Sequence, residues 1–397
     1  MHGVELATER PLCVISDHHE YADKGTQLLL DQHISLRVGI AVIGRPRTLL
    51  SKFAGRHIAM ATRWGILSAG KISHDFTSAL VSQNAEEHQV VAVAARSADR
   101  AKEFAGKFGI KTAYGSYEEL VKNPDVEIIY IGSIHPEHYK MCLLCLDAGK
   151  HVLCEKPMTL TSAQTKHVLK TAKEKKLFFM EGFWSRFFPV YEKVREEVSS
   201  NSIGDIILIQ NSFCINNYDV ARINDKRLGG GGLMDIGCYC VMMADMIFKE
   251  RPEKIVAEGE VTKDGVDAGG AITLRFSGDR IASIVYHTKT QSSSNSMLIC
   301  GTKGCIKVED PFWCPTKMTS PSGVFEFPLP TCKLKMHFPN SEGFQYEQRC
   351  VRDCLKKGEL ECPLMSHASS ENIIFIIETA LQQMGVQYST TADGGRV

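Results

Sequence analysis

A regular alternation of element types begins at Trp64 and constrains this chain more than any other feature. Short β-branched runs (WGILSAG, QVVAVAAR, VEIIYIG, HVLCEKP, LFFMEGF) are separated by the amphipathic stretches KISHDFTSALVSQ, SADRAKEFAGKFG, PEHYKMCLLCLDAG and TSAQTKHVLKTAKEKK. Near-continuous apolar strands joined by helices belong to parallel sheets covered on both faces. The alternation therefore predicts an α/β fold with a doubly wound parallel sheet of the Rossmann type over residues 60–181. Gly109 stops one helix, and Ser116 with Glu119 has capping-box spacing before a short one.

After Pro189 the period changes. IILIQNSFCI, KIVAEGEVT, AITLRF, RIASIVYHTKT and SMLICGTKGCIKVED alternate apolar with polar residues, and turns at Ser277-Gly278-Asp279 and Thr302-Lys303-Gly304 join neighbours as hairpins. This predicts a large open, mostly antiparallel sheet with one covered face. With the late helices YEQRCVRDCLKKG and SENIIFIIETALQQMG it forms a second, α+β domain over residues 182–385. Residues 1–59 have no sustained period and are read as a disordered leader or extension. Glu5, Glu9, Asp17, Glu20 and Asp23 argue against a mitochondrial presequence, which is poor in acids. Residues 386–397 are read as a loose tail.

Charge and cysteine content narrow the class. Lys plus Arg and Asp plus Glu number 46 each, so no net field draws nucleic acid or a membrane surface. No apolar run approaches the roughly 18 to 20 residues of a membrane span. The 14 cysteines, with no visible signal peptide, are read as free thiols in a reducing compartment, the cytoplasm. Cys142-Leu-Leu-Cys145 lies in an apolar helical stretch without a second pair at zinc spacing, so both are expected in the core. No metal is expected.

Four segments carry chemistry. The first strand-to-helix turn reads Gly65-Ile-Leu-Ser68-Ala-Gly70-Lys-Ile-Ser73, which sets Ser68, Gly70 and Ser73 on the dinucleotide fingerprint G-x-G-x-x-G. Only the middle glycine survives, the one that lets backbone approach a pyrophosphate at a helix N-terminus. Arg96, with Arg100 a turn later, stands where an NAD enzyme places an acid for the ribose hydroxyl. A guanidinium cannot accept that bond but suits a 2′-phosphate, so NADP is expected over NAD. In HVLCEKP, Glu155 and Lys156 come at a strand's carboxyl end, over the crevice where such sheets bind ligands, with Glu155 expected to fix the lysine. In LGGGGLMDIGCYC, four glycines lead without a P-loop lysine into a helix that shows Asp235 and Tyr239 on one face. Gly237 between them is expected to let a ligand or backbone approach.

Taken together, the glycine turn, Glu155-Lys156-Pro157 and Asp235-x-Gly237-x-Tyr239 resemble the Gfo/Idh/MocA oxidoreductase family from about Arg63 to Gly385. AVAARSADRAKEFA, AYGSYEEL, VLCEKPM, WSRFFP, DIGCYC and PFWCPT strengthen the resemblance. Tyr239, where many members carry histidine, points to NADP-dependent members that oxidise diols or a pentose. The resemblance implies a Rossmann domain, an open-sheet second domain, a homodimer formed through the sheets, and a small diol or sugar as substrate; the alternatives are a reductase of another carbonyl or of a tetrapyrrole-like substrate in the same superfamily, and a non-enzymic NADP-sensing protein. It further implies that Tyr239 is the base, activated by Lys156, with Asp235 holding the substrate or the tyrosine. His135 and His138 would lie near the nicotinamide; as a metal pair they lack a third ligand. Trp184, Phe213 and Trp313 would wall the substrate pocket. An ammonium beside Tyr239 is expected to lower its pKa, with burial opposing.

Overall fold

Six strands make the first sheet: β1 (Thr62–Leu67), β2 (His88–Ala94), β3 (Thr112–Tyr114), β4 (Ile128–Ile131), β5 (His151–Glu155) and β6 (Phe179–Gly182). Their order is β3-β2-β1-β4-β5-β6, and every neighbouring pair is parallel. The order reverses between β1 and β4, so a crevice opens there at the strands' carboxyl ends. The computed structural model describes residues 61–292 and 294–388. The leader expected over 1–59 therefore lies outside the described residues.

Local chemistry sets the helices on this sheet. The helix Ala98–Phe108 ends where Gly109 takes φ 67°, a left-handed conformation that costs glycine nothing. Ser116 caps Tyr117–Val121 by accepting the Glu119 N–H at 3.3 Å. Strand β3 was not anticipated. Three residues are too few for a period to show.

The second sheet holds β7 (Ile206–Cys214), β8 (Lys254–Val261), β9 (Asp267–Arg275), β10 (Ile281–His287), β11 (Met297–Gly301), β12 (Cys305–Val308), β13 (Lys317–Ser320) and β14 (Gly323–Glu326). The order is β14-β13-β12-β11-β7-β10-β9-β8, antiparallel throughout except for the parallel pair β7–β10. On β10 the side chains of Ala282, Ile284 and Tyr286 are buried while Ile281 and Val285 are exposed. The covered face packs on the helices Cys238–Phe248 and His367–Gln383.

Two expectations need correction. Lys226–Phe248 is long and apolar enough to cross a membrane, yet it is buried within the protein and serves as core. The tail is not loose from residue 386: Val386 is buried and donates its N–H to the Leu381 carbonyl at 2.8 Å, and the Tyr388 hydroxyl donates to the Gly230 carbonyl. Residues 389–397 lie outside the described residues.

Candidate active site

One cavity of about 690 Å³ runs along the carboxyl ends of the first sheet and is closed by residues of the second domain. It brings together Ser68, Gly70, Arg96, Arg100, His135, His138, Glu155, Lys156, Trp184, Phe213, Asp235, Tyr239 and Trp313. Ser73 is the exception. It is fully buried, and a Cβ on Gly132 would come within 2.3 Å of its Oγ, so this position packs helix against sheet and faces no cofactor.

One end of the cavity has the features that would suit a phosphate. Gly70 is the N-cap of the helix Lys71–Val81, which has no acid in its first turn. A Cβ added to Gly70 would meet nothing closer than 3.8 Å, so the glycine leaves open space over the helix N-terminus, where N–H groups and the dipole favour an anion. Arg96 and Arg100 are exposed, with no carboxylate at ion-pair distance among the described residues. Ser68 stands at φ 88°, in the region that favours glycine, so the tight turn is retained at a cost in backbone strain. These features fit a nicotinamide dinucleotide.

At the other end, Lys156 donates from Nζ to the Asp235 backbone carbonyl at 2.7 Å and lies 4.7 Å from the centre of the Tyr239 ring. The expected clamp by Glu155 is absent. Successive side chains at a strand's end point to opposite sides, and Glu155 instead accepts from the Tyr130 hydroxyl at 2.8 Å. Burial pushes the Glu155 carboxyl up to about 7 against the pull of Tyr130 and Lys156. Asp235 also departs from one expected role, since its carboxylate does not hold Tyr239. It takes Arg222 Nη1 at 2.5 Å and Asn217 Nδ2 at 3.5 Å. Burial alone would raise this carboxyl, but Arg222 and Lys156 hold it below its ordinary value.

The partner of Tyr239 is Trp184, whose indole Nε1–H donates to the phenol oxygen at 3.0 Å. The turn Trp184–Phe187 is held against the tyrosine's own helix by Arg186, which reaches the buried Asp245 carboxylate at 2.5 Å. Phe213 stacks on Trp313 at 3.9 Å between ring centres, and Phe183 meets Tyr239 edge-on. Asp235 and Tyr239 do share a face, across a π-helical turn at Leu233–Gly237 that runs into the helix. Gly237 serves packing: a Cβ there would come within 3.0 Å of the Tyr286 ring.

In so enclosed a place the expected lowering of the Tyr239 pKa does not occur. Burial, then the Glu155 and Cys238 charges, push the phenol well above 10, and the Trp184 hydrogen bond only partly opposes them. His138 has both ring nitrogens engaged, whereas His135 is held through one. His138 turns Nδ1 to the Pro157 carbonyl at 2.9 Å and Nε2 to the Ser133 carbonyl at 3.0 Å, so it is not available as a base or ligand. His135 holds the Gly229 carbonyl through Nδ1 at 3.0 Å, and burial with His138 and Lys156 nearby pushes it down to about 3.

Sequence reasoning missed Tyr117, Asn217, Arg222 and Phe338, all of which line the cavity. Phe338 arrives on a segment tied to the first domain, where the Asp75 carboxylate accepts the N–H groups of His337 and Phe338 at 2.9 Å. No local signal marks such a crossing.

The chain is similar to known proteins. Residues 62–183 match the oxidoreductase family with NAD-binding Rossmann fold, and residues 191–307 match the GFO/IDH/MocA C-terminal domain. The chain is 47% identical over 330 residues to the trans-1,2-dihydrobenzene-1,2-diol dehydrogenase of Xenopus tropicalis, covering 83% of this chain and 100% of that protein. It is 42% identical to the Homo sapiens protein of the same name, over 83% of this chain and 98% of the other. A 3-ketoreductase from Actinomadura kijaniata, solved in complex with NADP and TDP-benzene, is 25% identical with a TM-score of 0.68, over 80% of this chain and 96% of that one. A levoglucosan dehydrogenase in complex with NADH and levoglucosan has the same fold, with a TM-score of 0.71 at 17% identity over 82% and 98% of the two chains. With both halves of the family matched on one continuous site, this chain belongs to the Gfo/Idh/MocA oxidoreductases and is a nicotinamide-dependent dehydrogenase.

Proposed function

We propose that this dehydrogenase uses NADP and oxidises a secondary carbinol of trans-dihydrodiols, turning trans-1,2-dihydrobenzene-1,2-diol into catechol, and of D-xylose, yielding D-xylono-1,5-lactone. The observation that carries the reading is the group Lys156, Tyr239 and Trp184 at the aromatic end of a cavity whose other end presents Arg96 and Arg100. Ser68, Gly70 and the N-terminus of the helix Lys71–Val81 would hold the pyrophosphate, and the two arginines a 2′-phosphate. A nicotinamide held there supplies the hydride acceptor for the carbinol carbon. Tyr239 in its phenolate form takes the hydroxyl proton through its oxygen, which Trp184 keeps in place. Lys156, fixed by the Asp235 carbonyl, adds positive charge where oxyanion character develops. The aromatic walls exclude water and match a ring-sized substrate.

Because burial keeps Tyr239 protonated at neutral pH, the phenol is equally suited to give its proton to a carbonyl oxygen. Reduction of a carbonyl near neutrality is therefore the second reading, with oxidation favoured at alkaline pH. A tetrapyrrole is a poor fit, since about 690 Å³ must take cofactor and substrate together. A homodimer through the outer face of the second sheet is also proposed, supported by exposed Ile207, Val256, Ile281 and Val285. Cytoplasmic residence is proposed with it, in keeping with free thiols at every described cysteine. The decisive assay mixes purified protein with NADP⁺ or NAD⁺ and a panel of trans-dihydrodiols and sugars, following the absorbance of reduced cofactor. Turnover with NADP⁺ well above NAD⁺ is expected. No turnover on any diol, sugar or corresponding carbonyl would overturn the assignment.

A further inference from the structure

Outside the cavity, three cysteines converge where the helix Phe344–Lys357 ends. Cys350 and Cys354 are one turn apart on that helix and therefore share a face. Gly358, at φ 70°, closes the helix in the left-handed conformation, and the Glu359 N–H returns to the Cys354 carbonyl at 3.0 Å. The chain then reverses along the first sheet's edge, where the Leu360 carbonyl accepts the N–H of Phe179 at the start of β6. This reversal brings Cys362 back over the helix. The three sulfur atoms lie within 4.8 Å of one another, with Cys350 and Cys362 at 3.4 Å.

Three thiols in one cluster ask for more than core packing. Apolar contact would be served by a single cysteine, and a disulfide between Cys350 and Cys362 would leave Cys354 idle. A metal with bonds to sulfur of about 2.3 Å holds its thiolates roughly 3.8 to 4.0 Å apart, which this cluster meets with small side-chain adjustments. The Arg195 guanidinium is close enough to Cys350 and Cys362 to feel their charge. Glu347, one turn before Cys350, is fully buried, and neither of its carboxyl oxygens has a hydrogen-bond partner. Packing alone leaves that buried carboxyl without a partner. Cys350 is partly exposed and provides a way in, whereas Cys354 and Cys362 are buried.

We propose that Cys350, Cys354 and Cys362 bind one thiophilic d¹⁰ metal ion, copper(I) suiting three thiolates as they stand and zinc(II) binding with a water as fourth ligand. Binding exchanges the thiol protons for the metal, releases them to solvent and involves no change of oxidation state. The ion clasps the helix to the segment that pins β6. Because Phe344 on that helix stacks on Trp184 at 4.5 Å, the clasp also steadies the floor of the aromatic pocket.

The test uses the full chain, reduced with a phosphine and stripped of metal. It is titrated separately with copper(I) and with zinc(II), each against a chromophoric chelator, and with cobalt(II) as a spectroscopic reporter. One metal per chain is expected, with thiolate-to-cobalt charge-transfer absorption. Cys350→Ser, at the exposed corner, should weaken uptake by more than the roughly ten- to hundredfold that even an outer-sphere partner is worth. The triple serine variant should abolish it. A second measurement needs no variant: in the wild-type chain bound metal should protect Cys350 from iodoacetamide, read by peptide mass. Equal uptake by wild-type and serine chains, or alkylation of Cys350 at one rate with and without metal, would overturn the proposal. Conversion to a Cys350–Cys362 disulfide with no metal taken up would overturn it too.

Discussion

At one end of the cavity Arg96 and Arg100 stand in solvent without a carboxylate partner among the described residues; at the other, Lys156, Asp235 and Tyr239 sit among aromatic rings with named hydrogen-bond or ring partners. Cations in water are inexpensive to keep and weak until a ligand desolvates them. In the enclosed end burial drives Tyr239 up, while the charges of Arg222 and Lys156 hold Asp235 down against burial. On the proposed reading, binding belongs to the wet end and proton movement to the dry one. The division is testable because changes at each end should be felt in different kinetic constants.

The largest effect is expected at Tyr239. Tyr239→Phe removes the proton carrier and keeps the ring, so turnover should fall by about 10² to 10⁴ while cofactor affinity stays unchanged. Lys156→Met should cost a similar factor, and the double variant should be little worse than either single one. Near-normal turnover of Tyr239→Phe at neutral pH would break the comparison at its dry end, and His138 would not replace it, since both its nitrogens face carbonyls.

Next comes the wet end. Arg96→Asp should raise the Michaelis constant for NADP⁺ by roughly ten- to a hundredfold, the worth of a hydrogen bond to a charged group. NAD⁺ should gain relatively, and wild-type NADP⁺ binding should weaken with salt. Unchanged cofactor preference in steady-state kinetics would mean these arginines are surface charge only.

Trp184→Phe sharpens the contrast further. The indole N–H bond pulls the Tyr239 pKa down against burial, so removing it raises that pKa. The rising limb of oxidation rate against pH should move to higher pH, with turnover at neutral pH about tenfold lower and cofactor binding unaffected. A limb that stays where it was would reduce Trp184 to a wall. The smallest effect belongs to Ser68→Gly, which relieves a left-handed φ of 88° and should stabilise the fold by about 1 kcal/mol in urea or thermal melts.

What could be read in advance follows periodicity. Strand-and-helix alternation placed Gly70 at the first turn, Arg96 after β2 and Lys156 at the end of β5, because each depends only on where its own element stops. Strands β3, β13 and β14, at three or four residues, are too short to carry a period. Asp235 and Tyr239 shared a face by spacing alone, but their part in chemistry came from resemblance.

The rest was decided by packing between segments distant in sequence. Trp184 finds the Tyr239 oxygen across 55 positions, and Phe338 reaches the cavity through a tether to Asp75 some 263 positions away. Glu155 was misjudged because adjacency in sequence puts neighbouring side chains on opposite sides of a strand. For Tyr239, the sequence by itself determined that a lysine and a tyrosine would be available; only the tertiary structure decided how deeply the phenol is buried. Desolvation depends on everything packed around a group, and here it outweighs the charge beside it.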